Sequence, residues 1–152
     1  MTRHGFTLIE TVVTIGVAGI LLAVVLFSLN PIKLLEEARN TKRKSHVALL
    51  VSAIADHAKE EGQDLLFSIP LAPASAIEIC GDVKTGSCTS MLDMSALIGT
   101  YLVEVPIDPT VEDDDTYKEH SRYFAVRSSQ NRITVSAPDT EPLGVEDIVA
   151  SR

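Results

Sequence analysis

A chain of 152 residues has room for one modest domain rather than two, and its net charge of −8 disfavours a nucleic-acid partner, whose phosphates call for Lys and Arg. That charge is uneven, with a balance of +2 over residues 1–60 and −10 over residues 61–152. Hydrophobic residues make up 45% of the chain, but residues 6–29 alone hold 17 of them in 24 positions, so the remainder has an ordinary soluble composition and must bury its own small core.

The first predicted element is that apolar block. As a helix, Phe6–Leu29 spans about 36 Å, enough to cross a hydrocarbon core of about 30 Å. A buried core helix fits poorly, because helices of soluble proteins are rarely apolar all round. A cleavable secretory signal fits poorly, because the run is too long and Ser28-Leu29-Asn30-Pro31 is a weak cut site. The short positive region Met1-Thr2-Arg3-His4-Gly5 precedes the block and should stay cytoplasmic, which sends the rest of the chain outward. Glu10 is the block's one ionisable side chain. A carboxylate at the centre of a membrane helix costs roughly 2.5–3.5 kcal/mol on insertion scales, so it needs either a partner or a route to the headgroups. Glu10 sits one turn from Phe6, near the interface. A cut between Gly5 and Phe6 would create an amino group able to pair with Glu10 of another copy; snorkelling toward headgroups is the alternative.

Gly5-Phe6-Thr7-Leu8-Ile9-Glu10, followed by an unbroken apolar helix, resembles the processing site of type IV pilins and of the pseudopilins of type II secretion. The resemblance is close over residues 1–30 and holds only in outline beyond. It implies cleavage after Gly5 by a membrane prepilin peptidase that also N-methylates Phe6. It further implies docking of Glu10 against a neighbour's amino terminus. The implied partners are other copies or related pilins in a helical filament and an inner-membrane assembly platform. The implied location is a single pass in the cytoplasmic membrane with the head outside, then an extracellular or periplasmic filament. Many family members carry a helix-bending Pro where this chain has Phe27, and here the first Pro is Pro31.

Past Pro31, Ile32 and Leu35 share a face, and Val47, Leu50, Val51, Ile54 and Ala58 follow at three- and four-residue steps. Gly62 is a plausible stop. The expectation is one helix from Phe6 to about Glu61, bent near Asn30-Pro31, with residues 6–29 as membrane and assembly helix, 30–62 as an amphipathic continuation, and 63–152 as a small head after a leader of residues 1–5. Within it, the basic run Arg39-Asn40-Thr41-Lys42-Arg43-Lys44 reads first as a solvated face, second as a partner for acidic heads of neighbouring subunits, and last as a DNA contact. The absence of Trp and a total of three Tyr leave little for base stacking. His46 and His57 stand about 16 Å apart along a helix axis, too far to share a metal, and read as ordinary helix residues.

Residues 63–90 look irregular, punctuated by Pro70, Pro73, Gly81 and Gly86. Cys80 and Cys88, the two cysteines of the chain, predict a disulfide once the head is exported. A zinc site would need two more ligands within reach, and the spacing is not the C-x-x-C of a redox pair. Ser95–Leu102 predicts a short helix ending before Val105-Pro106-Ile107-Asp108-Pro109. Tyr123–Arg127 and Arg132–Ser136 alternate as two strands around Ser-Ser-Gln-Asn, and the patch from Val145 to Val149 is a candidate third. The fold class is therefore α+β, a long amino-terminal helix on a small antiparallel sheet, which is also the outline of a pilin head.

One cluster offers chemistry. Asp108, Glu112, Asp113, Asp114 and Asp115 could supply oxygens to a Ca²⁺ ion, and some pseudopilins bind calcium in a comparable loop; the competing reading is a solvated acidic loop. The spacing is not that of an EF-hand, and no cofactor is required. The sequence holds no Gly-rich phosphate loop, H-E-x-x-H or G-x-S-x-G, and His120 beside the acidic tract is a weak imitation of a catalytic pair, so the chain reads as a substrate of enzymes and not as one. The leading function is a structural subunit of a type IV pilus-like filament serving adhesion, twitching motility or DNA uptake. The alternative is a pseudopilin whose filament drives protein export.

Overall fold

The computed structural model describes residues 5–82, 88–112, 114, 118–142 and 146–152, apart from the side chain of Leu29. The chain divides into two compact units, Met1–Glu36 and Glu37–Arg152.

In the first unit, α1 runs from Leu8 to Leu29. It starts two residues later than the apolar block because Thr7 is extended and its hydroxyl accepts the Glu10 N–H at 3.3 Å, a cap that stabilises a helix end by about 1 kcal/mol. Phe6 lies outside the helix. At the other end the expected bend is an interruption. Asn30 adopts a left-handed conformation (φ 40°, ψ 77°) and closes α1, and α2 begins at Pro31 and runs to Glu60. The residue before a proline is pushed out of the α region, and asparagine tolerates the left-handed one, so two helices form where the periodicity suggested one.

Of the face predicted for α2, Val47, Leu50, Val51 and Ile54 are buried in the second unit and Ala58 is half-buried, whereas Ile32 and Leu35 stay exposed. Val47, Leu50, Val51 and Ile54 pack with Tyr123, Ala125 and Val135 of the sheet in a single core. Each such aliphatic side chain removed from water stabilises the fold by about 2 kcal/mol. Gly62 (φ 113°) follows the helix in a conformation that an L side chain rarely adopts, as its reading as a stop requires.

Residues 63–90 hold more order than their composition suggested. Asp64–Ser68 is one short helix (α3), and Ile77–Cys80 is a strand (β1). The remaining strands are β2 (His120–Arg127), β3 (Ile133–Ala137) and β4 (Ile148–Ser151), and the sheet is antiparallel in the order β1-β2-β3-β4. β1 escapes a sequence reading because four residues between turn signals show almost no periodicity; its partner lies over forty residues away, with Ile77 opposite Ala125 and Glu78 opposite Phe124. β3 is the shorter neighbour of β2 across the predicted turn, where Ser128 N–H donates to Arg132 O at 2.8 Å. The tail strand pairs with β3 as the sheet's fourth member, starting three residues later than the patch that predicted it; Val145 lies outside the described residues.

The helix expected over Ser95–Leu102 is a single 3₁₀ turn, Ser95–Leu97. Ile98 is extended, and Gly99 has φ 94°, a conformation that ends any helix. Gly81, directly after β1, is required for a different reason. A Cβ there would stand 2.5 Å from the Lys118 carbonyl oxygen, so the segment entering β2 can lie close against it only without a side chain.

Candidate functional site

The amino-terminal segment presents its chemistry without cover. Gly5 precedes Phe6, which is 79% exposed, and the Thr7 cap places Glu10 in the first turn of α1, where a carboxylate complements the helix dipole. From Leu8 to Ser28 the helix is long and apolar enough to cross a membrane, and no part of that span is buried within the chain. Thr11, Thr14 and Ser28 turn their hydroxyls onto carbonyls of the preceding turn, so these polar groups are satisfied without water. The result is an apolar cylinder in need of a non-aqueous environment or of neighbours.

The second unit assembles a polar cluster that no local pattern announces. Arg43 is fully buried, as is Asp108, and its guanidinium forks onto that carboxylate, Nε donating to Oδ2 at 2.6 Å and Nη2 to Oδ1 at 2.9 Å. Arg39 makes the same fork onto Glu141 at 2.5 and 2.8 Å, and Arg43 reaches the Glu141 carboxylate as well at 3.3 Å. Between them, the Asn40 amide pairs with the backbone of Glu141, donating to its carbonyl at 2.5 Å and accepting its N–H at 3.1 Å. Lys42 pairs with Glu112. The basic run is thus solvated only in part: Thr41, Lys42 and Lys44 are exposed, whereas Arg43 is buried, and the acidic partners of Arg39, Lys42 and Arg43 belong to their own chain. Arg39, Lys42 and Arg43 fasten the loop at Asp108–Glu112 and the strap before β4 onto α2.

This alters the reading of the acidic tract. Asp108 is spoken for by Arg43 and by the Thr110 N–H and hydroxyl, at 2.9 and 2.5 Å, and Glu112 by Lys42. Asp113 and Asp115 lie outside the described residues, and among the described residues no group of three or more His, Cys, Asp or Glu side chains is placed to hold a metal. A calcium ion taking Asp108 would leave the buried Arg43 with the Asn40 amide oxygen and, as its one remaining counter-charge among the described residues, the longer contact to Glu141. Burial by itself would push the Asp108 carboxyl up, but the hydrogen bonds from Arg43 and Thr110 outweigh it and hold it below the usual carboxylate range. The hydrogen bonds from Arg39 do the same for Glu141. Burial, with Lys42 adding to it, pushes His46 down, and the ring hydrogen-bonds the Tyr123 hydroxyl at 2.9 Å.

All three shifts have one consequence. In the unfolded chain these groups take up protons at higher pH than in the fold, so their stabilisation is present above the ordinary values and lost as pH falls. Stability should decline once below about pH 6.5 as His46 protonates on unfolding, and more steeply below about pH 4 as Asp108 and Glu141 do. Chemical unfolding of the chain in detergent across a pH series checks this, and Asp108→Asn should flatten the acid limb.

Of the remaining expectations, Cys80 and Cys88 are bonded to each other, with Cα atoms 5.5 Å apart, although Gly86 and the rest of 83–87 lie outside the described residues. His57 is buried, packs edge-on against Tyr101 and leaves its Nδ1 without a partner. His120 meets Glu78 at the surface, 2.9 Å away, and not the acidic tract. Sequence reasoning missed Glu141 and Asn40. The i, i+4 spacing of Arg39 and Arg43 hinted at a shared face, but nothing near Glu141 marked it as their partner about a hundred residues on.

No curated protein and no solved structure matches the chain significantly. Residues 1–26 match the family model of the prokaryotic N-terminal methylation motif, and over that stretch the chain carries the prepilin-type amino terminus of type IV pilins and pseudopilins.

Proposed function

We propose that this protein is a structural subunit of a type IV pilus-like filament, made as a precursor cut between Gly5 and Phe6 and methylated on Phe6. One observation carries the reading: within a match to the methylation motif, a wholly exposed apolar helix begins just after Gly5-Phe6 and bears one carboxylate, Glu10, in its first turn. Such a helix is soluble neither alone nor with its head in water. A bilayer satisfies it before assembly, and the same helices of other copies satisfy it afterwards. The new α-amino group at Phe6 gives Glu10 of a neighbouring copy a cation to pair with as water is excluded, which offsets the cost of a charge in an apolar setting. The motif belongs to structural subunits, and the partners it implies are the prepilin peptidase, related pilins and an assembly platform in the membrane.

Mass spectrometry of sheared surface filaments, viewed in parallel by electron microscopy, tests the proposal. The expected result is filaments whose subunit begins at methylated Phe6. A mature chain that keeps residues 1–5, or that never leaves the membrane, would overturn it. Filaments confined to the periplasm and needed for export of other proteins would move the assignment to the pseudopilin alternative.

A further inference from the structure

The peptide bond between Gly5 and Phe6 lies just outside α1, and Thr7 is the residue at the boundary. Its backbone is extended (φ −81°, ψ 151°), its carbonyl accepts the Thr11 N–H at 3.2 Å, and its hydroxyl accepts the Glu10 N–H at 3.3 Å. Thr7 is therefore the N-cap, and Thr7-Leu8-Ile9-Glu10 has the sequence of a capping box. Among the described residues that box is half closed. The Glu10 carboxylate makes no bond back to the Thr7 N–H, so capping and the carboxylate are separate resources.

A second start for the helix lies two residues upstream. Phe6 is apolar like the block that it precedes, and glycine serves as an N-cap about as well as threonine, so α1 could equally be capped at Gly5. A helix starting there would bond the Ile9 N–H to the Gly5 carbonyl and the Glu10 N–H to the Phe6 carbonyl. In the structure neither carbonyl accepts a hydrogen bond among the described residues, and the Thr7 hydroxyl holds the N–H that Phe6 would need.

The choice between the two starts bears on one oxygen atom. Hydrolysis between Gly5 and Phe6 adds water across the peptide bond. The hydroxyl of water joins the Gly5 carbonyl carbon, its other hydrogen joins the Phe6 nitrogen, and the C–N bond breaks to leave a carboxyl and an amino group. Negative charge builds on the Gly5 carbonyl oxygen along the way, and a peptidase must bring hydrogen-bond donors to that oxygen. Wound into a first helical turn, the oxygen would already be bonded to Ile9 and screened by the chain. Ahead of the Thr7 cap it is open to the enzyme.

We infer that Thr7 is a positioning residue for the processing of this chain: by capping α1 it keeps the Gly5 carbonyl out of the helix, where a prepilin peptidase can engage it. This rests on the reading of Gly5-Phe6 as the cut site and adds to it the side chain that presents the bond.

Cleavage of the full precursor in detergent by a purified prepilin peptidase, followed by mass spectrometry, tests it. Thr7→Val keeps the shape of the side chain and loses the hydroxyl. It should raise KM about fivefold with kcat little changed, because less of the chain is in the cleavable form when the enzyme meets it. Thr7→Ser and Thr7→Asn, two good N-caps of different chemistry, should be cut like the parent. Thr7→Val cut as readily as the parent would overturn the role of the cap, and so would a loss confined to kcat. Activity kept by Thr7→Ser but not by Thr7→Asn would mean that the peptidase reads the hydroxyl itself, which overturns it as well. A parent chain left whole, or cut elsewhere than between Gly5 and Phe6, would overturn the processing reading, and this inference with it.

Discussion

Glu10→Ala should leave the chain inserted in the membrane and abolish its incorporation into filaments. Insertion depends on the apolar length of α1, and removing the one carboxylate near its start makes that helix a better membrane segment. Assembly depends on something else. Apolar helices leaving a bilayer for a protein core gain little hydrophobic energy, because lipid tails are as apolar as leucine. On the proposed function, a charge pair between Glu10 and a neighbour's amino group would strengthen as water leaves and would set the axial register between copies. Glu10→Gln keeps shape and hydrogen bonding but not charge, and should resemble alanine. Comparing membrane-bound and sheared fractions by immunoblot checks both variants, and a normal filament yield from Glu10→Ala would remove the pairing role.

The second large effect belongs to the buried ion pair. Asp108→Ala strips the principal counter-charge from a guanidinium with no exposed surface. Breaking such a pair from one side costs about 3–5 kcal/mol, which for a unit of this size lowers Tm by roughly 10–20 °C. The glancing contact with Glu141 moderates the loss and places it at the lower end. Replacing both partners with apolar residues of similar bulk, Arg43→Met with Asp108→Leu, should recover much of it, since two desolvated charges are then spared together. Thermal unfolding of the full chain in detergent, followed by circular dichroism, separates these outcomes. A single variant that unfolds like the parent would show that Arg43 finds water on its own.

The cluster does what an apolar contact in its place would not. Arg43, Arg39 and Asn40 bring together two segments that lack regular structure, the loop at Asp108 and the strap at Glu141. Hydrophobic contacts are non-directional, whereas a forked guanidinium and an amide laid on a peptide group admit one position each.

What the sequence determined by itself was whatever is local and periodic. The apolar block of residues 6–29, the junction at Gly5-Phe6 with its spaced Glu10, the buried stripe of α2 and the two longer strands all repeat or sit within a few residues of one another, so one-dimensional pattern carries them. Tertiary structure decided the rest. Asn30 became a break because its left-handed conformation and the proline after it act together, and β1 became a strand only because β2 lies beside it. Arg39, Lys42 and Arg43 of the basic run acquired partners only when chain reversal brought Asp108, Glu112 and Glu141 onto them, and Asp108 was thereby committed to an arginine. Charges find their partners through space at a few ångströms, and sequence separations of 65 to 102 residues leave no trace of such meetings in the pattern of letters.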